Sequence, residues 1–171
     1  MLSLVPSPLR CDICGKPINA PADGNLVWIN YHSQNFAIRS RGDHLSLIHQ
    51  TRASPWRDTT PCLTHFSQEH CGEGRSLADI SLDRLDGHDG VCVFLDLLKE
   101  RAVPTAQLVE MFQRLYVPDY EMVRLAIPAA IAAGVIPEDR RERTCSAEHI
   151  AAVKALLEED PNCAAPPVPR Q

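Results

Sequence analysis

Long apolar runs are missing from this chain of 171 residues, and no stretch approaches the roughly 20 consecutive apolar residues that a helix needs to cross a bilayer. The opening stretch MLSLVPSPLR is apolar but short and broken by prolines, without the basic start and long apolar middle of a secretion signal. A soluble cytoplasmic protein without a membrane partner is the expectation. Aromatic residues are also few, at 5%, which argues against a large all-β sandwich, while the second half is rich in Ala, Leu, Val and Glu, a balance that favours helices. No excess of positive charge is present. Residues 1–76 hold seven basic and six acidic side chains, residues 77–99 two and five, and residues 100–160 seven and eleven, within a net charge of −5. Nucleic-acid binding would therefore need a local basic patch rather than the field of the whole chain. Catalytic signatures are lacking as well: there is no G-x-S-x-G, H-E-x-x-H, Walker or dinucleotide fingerprint, and no serine or cysteine has a base placed beside it by sequence. Nothing points to a small-molecule substrate or to an enzyme.

What the chain does have is seven cysteines. In a cytoplasmic protein an odd count argues against a disulfide framework and for metal ligation by some of the thiols. LRCDICGKPI, residues 9–18, carries the strongest signal. A C-x2-C turn lets the sulfurs of Cys11 and Cys14 reach one ion, and the small Gly15 behind them lets backbone amides point at the thiolates. A redox C-x-x-C would sit between a strand and a long helix, whereas this one precedes Pro17 and a loop. Structural Zn2+ is the expected cofactor. A tetrahedral site needs two more ligands, from His32, His44, His49, Cys62, His65, His70 and Cys71. Cys62 is the best placed, beside Pro61 in the first turn of a short helix whose N-terminus helps to hold a thiolate. For the fourth ligand, His65 lies three residues later on the same helical face, and His49 ends a strand; spacing alone favours His65. Cys92, Cys145 and Cys163 read as a core, a loop and a tail thiol, and His32, His44, His70, His88 and His149 as surface residues.

The order of patterns gives an α+β chain, mostly α by residue count: a disordered lead (1–8), a zinc-stabilised β-rich unit (9–74), a helical bundle (75–160) and a disordered tail (161–171). NLVWINY and HLSLIHQ alternate apolar with polar residues on either side of the SRGDH turn, as two half-buried strands do. TTPCLTHFSQEHCG reads as a short helix that Thr60 can cap and Gly72 can close. SLADISLDRLDGHDG reads as a linker with one helical turn. Helices are then expected over VCVFLDLLKER, over TAQLVEMFQRLY, over residues 119–133 with a cap at Asp119, a kink at Pro128 and an end at Gly134, and over AEHIAAVKALLEE behind the cap Ser146.

CDICGKPI, Trp28 in the next strand, LSLIHQTRASP, the later cysteine and GHDGVCVFLDLL…RLYVPDYEMVRLAI together resemble a set of small bacterial proteins with an N-terminal zinc knuckle, zinc-ribbon or treble-clef-like, and a C-terminal helical domain. The likeness covers most of residues 9–135. In that set the strand-ending histidine and the later cysteine recur, and the residue three past the cysteine is generally not histidine. The resemblance thus implies Cys11, Cys14, His49 and Cys62 as ligands, with His65 the alternative fourth, and it implies no activity.

Two further comparisons bear on function. A knuckle followed by Asp43-His44 resembles HNH nucleases, but the stretch after it supplies no asparagine, which leaves at most a degenerate member. Residues 106–157 have the order of a winged helix, with Arg140, Arg141 and Arg143 as the wing and Arg39 and Arg41 as a second basic cluster, yet Asp119 and Glu121 make the recognition helix acidic. The expectation is a non-catalytic, zinc-stabilised interaction or regulatory module with a protein partner, ahead of a nucleic-acid-binding regulator and of a degenerate nuclease.

Overall fold

The structure is a computed structural model that describes Leu4 and residues 8–31, 42–138 and 145–161. The fold is α+β, and it divides into two compact units, Met1–Tyr116 and Val117–Gln171.

The first unit is built around one strand. β3 (Gly24–Tyr31) lies between β4 (Gly42–His49) and β5 (Arg75–Ser81) in an antiparallel sheet of order β4-β3-β5. Leu26, Val27, Trp28 and Ile29 are all buried, so β3 is covered on both faces rather than half-buried as its pattern predicted. Continuous burial suits a central strand with apolar residues on consecutive positions. β5 occupies the stretch expected to be a linker: it pairs with β3 from Asn25↔Ser81 to Tyr31↔Arg75. Its apolar residues, Leu77 and Ile80, stand three apart and hide the period of two; the open edge of β3 makes the strand.

Ahead of the sheet, β1 (Leu9–Arg10) and β2 (Pro17–Ile18) form a two-stranded ribbon that carries the C-x2-C turn, with Leu9 and Ile18 in the core. α1 (Cys62–His70) buries Cys62 and Phe66. Thr60 does not cap it; Pro61 stands at the cap with extended backbone, and Cys71 rather than Gly72 closes the helix. α2 (Gly87–Glu100) and α3 (Thr105–Tyr116) pack into this same core through Phe94, Leu97, Leu108, Met111 and Leu115. The domain boundary expected at residue 75 therefore falls at 116/117, because β5 completes the sheet and the apolar stripes of α2 and α3 belong to its core. Leu4, from the expected disordered lead, donates its N–H to Asp86 at 2.9 Å and packs on the core.

The second unit contains α4 (Tyr120–Val123), α5 (Ile127–Ala132) and α6 (Ala147–Glu159) around Val123, Ala126, Ala130, Ile136, Ile150 and Val153. Pro128 was expected to kink one long helix; it stands instead in the first turn of α5, where its missing N–H costs nothing. Asp119 makes no cap, adopts a left-handed backbone and takes Lys154 Nζ at 2.7 Å. Ser146 caps α6 as expected, and His149 returns the bond in a capping box.

Gly90 is where α2 meets the turn before it: a Cβ there would lie 1.8 Å from the Leu85 carbonyl oxygen and 2.3 Å from the Tyr116 hydroxyl. Replacing Gly90 by Ala should destabilise the first unit by at least about 2 kcal/mol in denaturant titration. Gly72→Ala, where an added Cβ meets nothing within 4 Å, should leave the midpoint nearly unchanged.

Candidate metal centre

Three remote segments deliver the four side chains. The knuckle turn is shaped by its backbone: Cys11 N–H donates to Lys16 O at 3.0 Å, Gly15 N–H donates to Cys11 O at 2.9 Å, and Gly15 takes φ +69°, which favours glycine. Asp12 fastens the turn to β4. Its N–H donates to Leu47 O at 2.7 Å, and its carboxylate accepts Leu47 N–H at 2.8 Å, two residues before His49. From α3, Arg114 adds a third fixing, donating to Asp12 Oδ2 at 2.8 Å and to Arg10 O at 3.0 Å, with its side chain almost wholly buried.

His49 is the last residue of β4 and Cys62 the first of α1. Ser54 joins them through the intervening turn. Its Oγ accepts N–H groups from Trp56 at 3.2 Å and from Cys62 at 3.1 Å, so its own proton is free to go to Cys62 Sγ, 3.3 Å away.

The ligand atoms of Cys11, Cys14, His49 and Cys62 all lie within 4.8 Å of one another. Cys14 Sγ is 3.4 Å and Cys62 Sγ 3.9 Å from His49 Nδ1. Bonds of about 2.0 Å to nitrogen and 2.3 Å to sulfur at tetrahedral angles place ligand atoms about 3.5–3.8 Å apart, so the spacing fits one ion. His49 Nε2 lies 3.0 Å from the Pro17 carbonyl oxygen. A carbonyl only accepts, so Nε2 carries the proton and Nδ1 turns its lone pair to the sulfurs, the tautomer that a metal ligand needs. Cys11, His49 and Cys62 are 2%, 4% and 0% exposed, and Cys14 is half-buried. These four groups can hold a metal ion.

As protein groups alone, the sulfurs share protons unevenly. The Cys62 S–H donating to Cys11, helped by the amides of Cys14, His49 and Ile13, brings Cys11 down to about 5 against its burial. The same contact, with desolvation, holds the Cys62 thiol up, and desolvation raises Cys14.

His65, the alternative ligand, is not among the four. It faces solvent on α1, with Nδ1 3.8 Å from the Glu69 carboxylate, because Cys62 points inward and a three-residue step on a short helix carries His65 round to the rim. His44 stacks on His70 at 4.3 Å between centroids, and His70 meets Phe66 edge-on. Cys71 packs half-buried against the core. Cys92, expected in the core, is exposed on α2 with its sulfur 3.6 Å from His88 Nδ1. His32, Arg39, Arg41, Arg140, Arg141, Arg143 and Cys163 lie outside the described residues. Ser54 and Arg114 went unnoticed in the sequence; Ser before Pro55 signals a turn, but nothing local points it at a thiol. Compared with protein-family models, with curated proteins and with solved structures, the chain matches none.

His49→Ala should abolish stoichiometric metal retention, measured by elemental analysis, while His65→Ala keeps it. Because Cys14 and Cys62 hold their protons and Cys11 does not, loading near neutral pH should release about two protons per ion, and affinity should fall as pH falls, more steeply once Cys11 also protonates. Titration in a weakly buffered solution measures both.

Proposed function

We propose that the ion is Zn2+, that its role is structural, and that the chain is a non-catalytic interaction or regulatory module with a protein partner. One observation carries the reading: three sulfurs and a correctly tautomerised imidazole make four protein ligands around one point. Thiolate with imidazole favours zinc over the hard cations, and a full tetrahedral set leaves no position for a water to be activated. The ion would tie together the knuckle, the end of β4 and the start of α1, adding to the Asp12 and Ser54 hydrogen bonds that already hold them. In small zinc domains such binding contributes on the order of 10 kcal/mol to folding.

For the partner, α2 offers an apolar surface. Leu95 and Leu98 stand one turn apart at 57% and 46% exposure. Beside them lies an open groove of about 440 Å³ lined by Gly42, Leu98, Arg101, Val103, Pro104 and Thr105. Apolar exposure of this kind suits a protein surface better than a phosphate backbone. No observation on the described residues favours nucleic acid or nuclease chemistry: the two arginine clusters lie outside them, and the expected recognition helix is two short helices.

Purified protein should contain one zinc per chain, and removal by a chelator at neutral pH should unfold the first unit, seen as loss of its near-ultraviolet circular dichroism. A double variant, Leu95→Glu with Leu98→Glu, should keep zinc and fold yet lose the protein that the wild type retains on an affinity column. Metal removal without loss of structure would overturn the structural role.

A further inference from the structure

The four ligands are unequally protected, and the inequality singles out one. Cys62 Sγ lies at 0% residue exposure under the Ser54 hydroxyl, and Cys11, at 2%, is faced by the amides of Cys14, His49 and Ile13. Cys14 is half-buried, on the solvent-facing limb of the knuckle, with only the Lys16 amide as backbone donor. Each N–H or O–H aimed at a metal-bound thiolate withdraws electron density from it, which quietens Cys11; Cys14 and Cys62 each face one such donor, and of these two only Cys14 is open to solvent and so to an attacking reagent. Two basic side chains flank the turn. The Arg10 guanidinium donates to Gly15 O at 3.2 Å, and the exposed Lys16 follows.

Resting on the zinc reading above, we propose that Cys14 is an oxidation-sensitive ligand through which a hydroperoxide opens the centre. In the first step the Cys14 thiolate attacks the peroxide, the O–O bond breaks, and Cys14 sulfenic acid and hydroxide (or alkoxide, from an organic peroxide) form. In the second step the Cys11 thiolate attacks the Cys14 sulfur, an S–S bond forms and a second hydroxide leaves. Two electrons pass from the thiolate pair to the peroxide, and the anions take up protons from water. Cys11 is the resolving thiol because it stands three residues from Cys14 in the same turn, with its sulfur already within 4.8 Å. His49 and Cys62 alone do not retain the ion, and the first unit loosens.

The test uses full-length protein with Cys92→Ser, which removes an exposed thiol outside the centre, and begins by measuring zinc. No zinc at that point refutes the structural-zinc reading itself. With zinc present, hydrogen peroxide is added and release is followed with a zinc-responsive dye while peptides are mapped by mass spectrometry. Release should keep pace with a Cys11–Cys14 disulfide, and Cys14→His, which keeps a fourth ligand, should slow release severalfold. If that variant does not load, the wild-type map alone decides. Oxidation beginning at Cys62 or Cys11 with Cys14 intact, or release at an unchanged rate from loaded Cys14→His, would overturn the proposal while leaving structural zinc standing.

Discussion

Three sulfurs packed against one imidazole nitrogen cannot all be charged without a cation between them. Thiolates this close repel in a buried setting, where water screens them poorly. The protein groups alone answer by sharing protons, Cys11 ionised and Cys62 holding its hydrogen. A divalent ion would replace two protons with one doubly charged centre that all four groups face. Three contacts bring the four groups to one place: the Pro17 carbonyl fixes the imidazole, Ser54 holds the start of α1, and Asp12 holds the knuckle to β4.

The same constraint explains how the site is joined to the fold. Asp12 lies between the two knuckle cysteines and is gripped by Arg114 from α3, so the four-residue cluster and the helical layer share one ion pair whose arginine is buried and whose carboxylate reaches solvent. Removal of Asp12 would take the carboxylate from a buried guanidinium, whereas removal of Arg114 would leave Asp12 in reach of water. β3, covered on both faces, then carries the sheet on which β4 delivers His49. The second unit has its own apolar core and its own cap at Ser146, which makes it independent of the metal in composition.

Much of the site was legible in the residues because metal ligation leaves a local signature: Cys11, Cys14 and Gly15 stand in one turn. The third sulfur was readable from Pro61 and the helix start. Choosing His49 over His65 was different, since the strand end and the helix offered both, spacing pointed to His65, and only the resemblance moved His49 ahead; the physical reason, an inward Cys62 beside a rim-facing neighbour, is tertiary. Ser54 and Arg114 were invisible for the same cause, as their partners lie 8 and 102 residues away. In the fold, the pairing of β3 with β4 and the Ser146 cap were local and readable, whereas Thr60 and Asp119, equally good cap residues by type, make no cap. β5 was not readable, because an edge strand takes its conformation from an open neighbour, and the unit boundary moved with it. Pro128 shows the limit of a local rule: its missing N–H signals a break, yet whether the helix kinks or restarts depends on what surrounds it.

X-ray absorption spectroscopy of the metal-loaded protein tests the central claim most directly. Zinc with three sulfurs at about 2.3 Å and one nitrogen at about 2.0 Å is expected, together with the outer-shell scattering of one imidazole ring. A shell dominated by oxygen, a bound water in the fourth position, or a spectrum without imidazole scattering would contradict it.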